Sequence, residues 1–336
     1  MEKHEIKDGV DIIPEGTKAI VEEIIDDVKI LGYIIDKDWV LKCFVMLADE
    51  PLNMNAVSSM SSEACNTIVH NRKNVKDSVR KAFDIVSNMK LLDEGLTNKL
   101  AIIPIVYFIY TQKLWSTAIL PTNSQMGNYK SMRRFMFHSI INNLFEASSD
   151  NTLTVIRSII KGLGTPSLFD YDAIEEAIPQ LIITNSDFPT ILGTRKRQAF
   201  PILNIIYAIA IENGLSTFSL SAGTIYEVDY IHPKKSFEPM LLSTVHFTTP
   251  QDEGMANDGI TFDTIANLEL LDFSTNKSKN NRPLVEWFRG MNSSTQAKTR
   301  SDHFIDMSAP INFADFGTFI EARRVKLEDV LNFLLL

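Results

Sequence analysis

The chain has 336 residues, of which 45% are hydrophobic and 22% are charged. This balance is typical of a folded protein with a substantial core, in one large or two ordinary domains, and it excludes an intrinsically disordered chain. The formal net charge of -9 argues against a protein that wraps nucleic acid over its whole surface, because phosphate binding needs many Lys and Arg residues, although a local basic patch is compatible with it.

Two cysteines, Cys43 and Cys65, are too few for a zinc site with four cysteine ligands. Both lie in helix-like segments, so they are predicted to be reduced thiols of an intracellular protein. The first residues lack the charged start, apolar stretch and small-residue cleavage site of a secretory signal. The longest apolar run, residues 101–110, is too short to span a bilayer and predicts a buried helix. We therefore expect a cytoplasmic protein without a membrane segment.

The first half is predicted to be a series of amphipathic helices, because its apolar residues recur at three- and four-residue steps. In residues 17–31, for example, one face is expected to lie against the core; it carries Ile20, Ile24, Val28 and Leu31. No residues in this half have the spacing of a catalytic site. Residues 1–195 are therefore predicted to form a helical domain, with further helices over 38–47, 75–91, 98–111, 131–146, 152–160 and 171–178.

The pattern of apolar residues changes after residue 195, and residues 196–336 are predicted to form a second domain. It opens with a strongly apolar helix over 196–212. Residues 217–231 are rich in β-branched and aromatic side chains and contain Gly223, which predicts a short β-hairpin. After a loop-rich stretch and a compact segment, the chain is predicted to close with a helix over 313–335.

Three polar residues in this second domain occur in the order of a nuclease site: Asp229 in the sequence VDYIHP, then Asn267 and Asn276. The pattern resembles the HNH, or ββα-metal, nuclease motif. In that motif a strand ends in D-H-I-x-P, a central asparagine braces the loop, and an Asn or His on the following helix binds the metal. The resemblance implies that Asp229 and Asn276 are metal ligands and that Asn267 braces the site. Oxygen ligands suit Mg²⁺ or Mn²⁺, which would act on the scissile phosphate.

The departure from the motif is Tyr230, which stands where the motif has its general-base histidine. A phenol with its ordinary pKa of about 10 is a poor base near neutral pH. His232 is a candidate substitute, because residues two apart on a strand project to the same face. The other histidines of this region, His246 and His303, are predicted to be structural or surface residues.

Basic residues flank both halves of the motif and are candidates for binding the DNA backbone, which positions a duplex without reading its sequence. These residues are Lys234, Lys235, Lys277, Lys279 and Arg282. The alternative is a solvated polar face, the commoner location of such side chains. The polar stretch 274–281 is likewise an ordinary surface loop if Asn276 binds nothing.

The similarity extends beyond the motif. The segments KRQAF at 196–200, NLELLDFSTNKSKNN at 267–281, VEWF at 285–288 and FADFGTFIEARR at 313–324 resemble the C-terminal half of GmrSD-type restriction proteins. In that family an N-terminal half with a D-G-Q-Q-R motif handles nucleotide, and the HNH-bearing half cuts modified or foreign DNA. This chain has no D-G-Q-Q-R sequence. The nucleotide-handling part is therefore expected to be a separate subunit or a missing N-terminal half, and the helical first half is expected to connect the module to it.

The sequence predicts a mainly α protein: a helical domain, a small ββα-metal (HNH-like) module and a C-terminal helix. Two functions remain open. The first is a metal-dependent DNA-nicking endonuclease module of a restriction or phage-defence system, impaired by Tyr230. The alternative is a catalytically degenerate nuclease fold that acts as a DNA-binding or protein-interaction subunit.

Overall fold

The computed structural model describes residues 15–52 and 60–335. The N-terminal stretch interpreted above as lacking a secretory signal lies outside these residues. Within them, the structure contains sixteen α-helices and one two-stranded sheet, which confirms the prediction of a mainly α protein. No helix of this part is long and apolar enough to cross a membrane. The finer assignment of a ββα-metal module stays a prediction.

The chain folds into two compact units. The first comprises the described residues up to Met89 together with Leu96–Ile182, and the second comprises Lys90–Gly95 and the residues from Ile183 onward. The sequence placed the boundary between residues 195 and 196. In the structure the division falls earlier in the chain, and one short segment of the first half belongs to the second unit.

The first unit contains eight α-helices among its described residues. All the helices predicted for this half are present, with ends shifted by a few residues, and α3, which contains Cys65, is an additional helix outside the predicted ranges. The helices are α1 (Glu15–Ile30), α2 (Lys37–Leu47), α3 (Ser62–His70), α4 (Arg72–Asn88), α5 (Ile103–Thr111), α6 (Met126–Ile141), α7 (Ser149–Gly162) and α8 (Tyr171–Ala177).

The apolar faces of these helices form the core of the first unit. Ile20, Ile24 and Val28 of α1 are all buried, as their spacing predicted. The longest apolar run of the sequence forms the buried helix α5, and Cys43 and Cys65 are both buried and free. Full burial of a large aliphatic side chain contributes about 1.5–3 kcal/mol, so this periodic pattern is sufficient to specify the helical core.

The second unit contains the remaining helices and both strands. The helix predicted over 196–212 is found with the same ends. The elements are α9 (Phe188–Leu192), α10 (Lys196–Glu212), β1 (Tyr226–Tyr230), α11 (Pro239–Leu242), α12 (Pro250–Asn257), β2 (Leu268–Asp272), α13 (Phe273–Lys279), α14 (Leu284–Arg289), α15 (Ser293–Asp302) and α16 (Phe316–Leu331).

The sheet is not the predicted local hairpin. β1 pairs antiparallel with β2, from Tyr226 opposite Asp272 to Tyr230 opposite Leu268. The hairpin expected within 217–231 was wrong, because the residues before β1 bond elsewhere: the amide of Thr217 donates to the carboxylate of Asp302 at 2.8 Å. Since α13 begins directly after β2, the chain forms two paired strands followed by a helix.

Arg323 on α16 fixes the start of β2. Its buried guanidinium donates to the carbonyl oxygens of Ile265 at 2.6 Å, Leu268 at 2.7 Å and His303 at 3.1 Å. A cation bonded to three buried carbonyls satisfies backbone groups that would otherwise be left without partners. Around it, α14 and α16 supply an apolar cluster that includes Trp287 and Phe316.

Asn204 in the middle of α10 explains why residues 90–95 belong to the second unit. Its Oδ1 accepts from the amide of Leu92 at 2.8 Å, and its Nδ2 donates to the carbonyl of Lys90 at 2.8 Å. A Cβ atom at Gly95 would lie 2.1 Å from Oδ1 of Asn204. This close approach therefore requires glycine.

Asn204→Ala is predicted to lower the free energy of unfolding of the second unit by about 1–3 kcal/mol, because it leaves a buried amide of the 90–95 segment without a partner. Urea denaturation measures the loss. The matched control is Gln198→Ala on the exposed side of the same helix, which should change stability by less than about 0.5 kcal/mol. Equal effects of the two substitutions would contradict the role given to Asn204.

Candidate functional site between the strands and the following helix

The polar side chains of β1 and α13 face each other. Glu227 and Asp229 lie two apart on β1, and Asn276 and Lys279 lie three apart on α13, so each pair shares one face. Nδ2 of Asn276 donates to the carboxylate of Glu227, and Nζ of Lys279 donates to Oδ2 of Asp229 at 2.6 Å. The two predicted metal ligands thus lie on the same β1–α13 face, each bound to a different partner.

Lys279 is the central residue of this site. Its Nζ lies 2.6 Å from Asp229 and 2.9 Å from Oε1 of Glu269 on β2, and it also donates to the carbonyl oxygen of Tyr230. The side chains of Lys279 and Glu269 are both 0% exposed, whereas that of Asp229 is 18% exposed. The prediction that Lys279 binds the DNA backbone was wrong, because its ammonium group is enclosed by the strands.

The buried charges of this site stabilise one another. Burial alone would lower the pKa of Lys279, but the carboxylates of Glu269 and Asp229 outweigh it, and the pKa is raised. Burial would raise the pKa of Glu269, but the positive charge of Lys279 outweighs it, and this pKa is lowered. Both groups are therefore charged at neutral pH, as an ion pair removed from water requires.

Glu269 also contacts His303, which the sequence did not connect with the site. Nδ1 of His303 lies 3.1 Å from Oε2 of Glu269 and 2.7 Å from the hydroxyl of Tyr207. Burial lowers the pKa of this histidine more than Glu269 raises it. His303 is thus a neutral, buried neighbour of the ion pair and has the structural role expected of it.

Tyr230 is held as a hydrogen-bond donor. Its hydroxyl donates to Oδ1 of Asp263 at 2.8 Å, and the ammonium group of Lys196 lies 4.2 Å from the centre of its ring. Burial, followed by the hydrogen bond to Asp263 and the charge of that carboxylate, raises the pKa of Tyr230 above its ordinary value. The phenolate form, which is the one able to accept a proton, is therefore even less populated near neutral pH here than in water.

His232 lies in the core and faces aromatic rings. Its ring centre is 4.7 Å from that of Phe319 and 5.6 Å from that of Phe316. Burial, and then the charge of Lys279, lower its pKa to about 3, and Nε2 has no hydrogen-bond partner among the described residues. The prediction that His232 replaces the general base was wrong: β1 ends at Tyr230, so strand alternation does not extend to His232, and its buried ring cannot reach a substrate.

Asn267 joins the loops at the ends of the two strands. Its Oδ1 accepts from the amide of His232 at 2.9 Å, and its Nδ2 donates to the carbonyls of His232 at 3.1 Å and Phe262 at 2.9 Å. The side chain is fully buried. These three bonds are all to backbone atoms, so this asparagine positions the chain.

The exposed basic residues lie at the edge of the site. Lys234, Lys235 and Lys277 are exposed. The first two line a groove of about 400 Å³ together with Asn281, which follows α13; we call it the Lys234–Asn281 groove. Arg282 is also exposed, but its guanidinium binds the carbonyl oxygens of Ser278 and Lys279 at the end of α13. The two halves of the sequence motif thus meet at one groove.

The arrangement does not fit a divalent cation. Asp229 is bound to an ammonium group at 2.6 Å, and the Nδ2 atom of Asn276 is bound to Glu227. Within residues 15–52 and 60–335, no group of three or more His, Cys, Asp or Glu side chains is placed to hold a metal ion. An ion at Asp229 would have to displace Lys279 or lie against its positive charge.

A comparison of the chain with protein-family models and with curated proteins finds no match.

Lys279→Met is predicted to lower the free energy of unfolding by about 3–5 kcal/mol, because it leaves the carboxylate of Glu269 buried without its counter-ion. The loss should shrink in Lys279→Met/Glu269→Gln, which removes the uncompensated charge. Urea denaturation at neutral pH measures both. The control is Lys277→Met on the exposed side of α13, expected to cost under about 0.5 kcal/mol; a similarly small cost for Lys279→Met would refute the central role of this ion pair.

His232→Phe is predicted to make the protein less sensitive to acid. The native pKa of His232, about 3, is below its value of about 6.5 in the unfolded chain, so the unfolded state takes up the proton first as the pH falls. Wild-type stability is therefore lost below about pH 6.5, by up to about 1.4 kcal/mol per pH unit from this group. The stability of His232→Phe relative to wild type should thus rise as the pH falls.

Urea denaturation between pH 7.5 and 4.5 tests this, with the exposed His246 replaced by Phe as control. The curve of His246→Phe should run parallel to wild type. If His232→Phe also runs parallel, the buried neutral histidine is not the source of the acid sensitivity.

Proposed function

We propose that the second unit is a catalytically inactive, HNH-like module that binds DNA as a subunit of a restriction or phage-defence system. The observation that carries the proposal is the ammonium group of Lys279, bound to Asp229 at 2.6 Å and to Glu269 at 2.9 Å. Asp229 is the residue that the sequence resemblance assigns to the metal. The carboxylate that would bind the metal ion is therefore already paired with the ammonium group of Lys279.

Electrostatics explains why this lysine opposes metal binding. Two unit positive charges about 4 Å apart repel by roughly 4 kcal/mol at an effective dielectric constant of 20, and a divalent ion doubles the repulsion. Lys279 is also held by Glu269 and by the carbonyl of Tyr230. Displacing it would leave the fully buried Glu269 uncompensated.

The two candidate general bases, Tyr230 and His232, are also poorly placed to accept a proton from water. The hydroxyl of Tyr230 donates to Asp263, and its pKa is raised by burial and by that carboxylate. His232 is enclosed by phenylalanine rings. Neither side chain is arranged to remove a proton from water near neutral pH, which phosphodiester hydrolysis requires.

The support for DNA binding comes from the rim of the site. Lys234 and Lys235 are exposed and form no ion pair within the described part of the chain, and Lys277 is exposed on α13. Free ammonium groups of this kind bind phosphate and release its counter-ions. We infer that they anchor the DNA backbone, while a separate nucleotide-handling subunit supplies the activity of the system.

Metal-dependent nicking is the second candidate. Glu227, Asp229 and Asn276 lie on one face, and Asp229 retains 18% exposure. In this case Asp229 and Asn276 would hold Mg²⁺ or Mn²⁺, which would act as a Lewis acid on the scissile phosphate. The candidate requires Lys279 to leave Asp229 when the metal binds.

The two candidate functions differ in the expected effect of a divalent metal ion on DNA cleavage. We predict that the purified chain binds a short DNA duplex in the presence of EDTA and produces no nicked plasmid with Mg²⁺ or Mn²⁺, and that Tyr230→His is equally inactive. Fluorescence anisotropy and a supercoiled-plasmid assay measure these outcomes. A metal-dependent gain of about 10²- to 10⁴-fold in Tyr230→His, the usual contribution of a positioned base, would instead support the nuclease.

The same assay tests the DNA-binding surface. Lys234→Gln/Lys235→Gln should weaken duplex binding and reduce the slope of log affinity against log salt by about 1.8, since each phosphate contact contributes about 0.9. Lys18→Gln/Lys29→Gln alters the net charge by the same amount at exposed positions of α1. It should leave the duplex affinity and the salt slope unchanged. Absence of duplex binding by the wild-type chain would refute the proposal and favour a protein-interaction subunit.

A further inference from the structure

The lining of the Lys234–Asn281 groove combines charge with aromatic surface. Besides the two lysines and Asn281, it includes Phe237 and Phe262, with Glu238 as its acidic residue. Its volume of about 400 Å³ lies in the range of small-ligand sites, about 300–1,000 Å³. Contacts with the phosphates of an intact duplex would use the lysines but not the aromatic wall.

Phe237 and Phe262 form the aromatic wall of the groove, and both rings pack against other aromatic rings. The rings of Phe237 and Phe262 stack with centres 5.0 Å apart and planes 27° apart, and Tyr230 lies beside Phe262 at 6.2 Å. The other side of Phe237 packs edge-on against Phe313 and Phe316, with 4.9 Å between ring centres in each case. Fixed aromatic rings of this kind are the surfaces on which unpaired bases stack.

The polar groups of the groove match the remaining parts of a nucleotide. Lys234 and Lys235 are exposed and form no ion pair with a described residue, which leaves their ammonium groups for phosphate. Asn281 is exposed on the same groove, and its amide both donates and accepts, as the edge of a base requires. In a duplex the faces of the bases are covered by their neighbours, so only an unpaired base presents a face to Phe262.

We propose that the Lys234–Asn281 groove binds an unpaired nucleotide of a DNA strand. The phosphate lies at Lys234 and Lys235, the base stacks on the Phe262 wall, and Asn281 contacts the edge of the base. This inference rests on the proposed DNA-binding function and specifies its ligand. DNA that is distorted, bulged or locally single-stranded is therefore preferred over an intact duplex.

The test compares the affinity of the full chain for a duplex and for the same duplex with one bulged adenine, measured by competition in fluorescence anisotropy. Stacking of one base predicts a preference for the bulge of about 5- to 150-fold. Phe262→Leu keeps an apolar side chain but removes the ring, and should lose most of the preference while retaining duplex binding. Phe273→Leu is the control: it removes an exposed ring of α13 that is not in the groove lining. This variant should retain the preference for the bulged duplex.

Asn281→Ala provides a second, exposed position in case Phe262→Leu disturbs the fold, and it should reduce the preference as well. Equal affinity for the two DNAs, or a preference that survives both groove substitutions, overturns the inference while leaving duplex binding intact. Binding of free dAMP as tight as that of the bulged duplex also overturns it, because the ligand is then a mononucleotide. Failure to bind either DNA refutes the proposed function itself.

Discussion

The ammonium group of Lys279 is the contact on which the second unit depends. It lies on α13 and binds Asp229 and the Tyr230 carbonyl on β1 and Glu269 on β2, so one side chain joins both strands to the helix that follows them. A buried ion pair is costly to desolvate, and apolar residues of similar size often stabilise a fold as well. The contact of one ammonium group with both carboxylates, however, depends on the strand register that places Asp229 opposite Glu269.

The chemistry of the site follows from this contact. The polar groups of the β1–α13 face bind one another: Asn276 donates to Glu227, and Lys279 donates to Asp229. Tyr230 and His232, which stand at or near the base position of the motif, are held by Asp263 and by aromatic packing. At the rim, the ammonium groups of Lys234 and Lys235 line the groove and form no ion pair with any described residue. This distribution of charged groups is the basis on which we propose a binding function for the second unit.

Local sequence patterns predicted the helices well, and α10 has the ends expected from its apolar run. Asp229 and Asn276 were predicted to converge on one ion site; in the structure Asp229 binds Lys279, and Asn276 binds Glu227. The pairing of β1 with β2 was missed because the two strands lie far apart in the chain, and no local pattern records such a pairing. The burial of Lys279 was missed for the same reason: its partner Glu269 is identified only once the strands pair, and a lysine in a polar stretch otherwise indicates an exposed surface.

Because it includes the segment Lys90–Gly95, the second unit is not continuous in the amino-acid sequence. The chain enters this unit before the first unit is complete, leaves it, and returns at Ile183. During synthesis the segment emerges long before α10, so its bonds to Asn204 form only after the intervening residues have been made. Recombination or truncation near residue 183 would separate the two parts, leaving a module without the backbone that Asn204 binds. Residues 90–95 must therefore accompany those from Ile183 onward for the contacts of Asn204 to form.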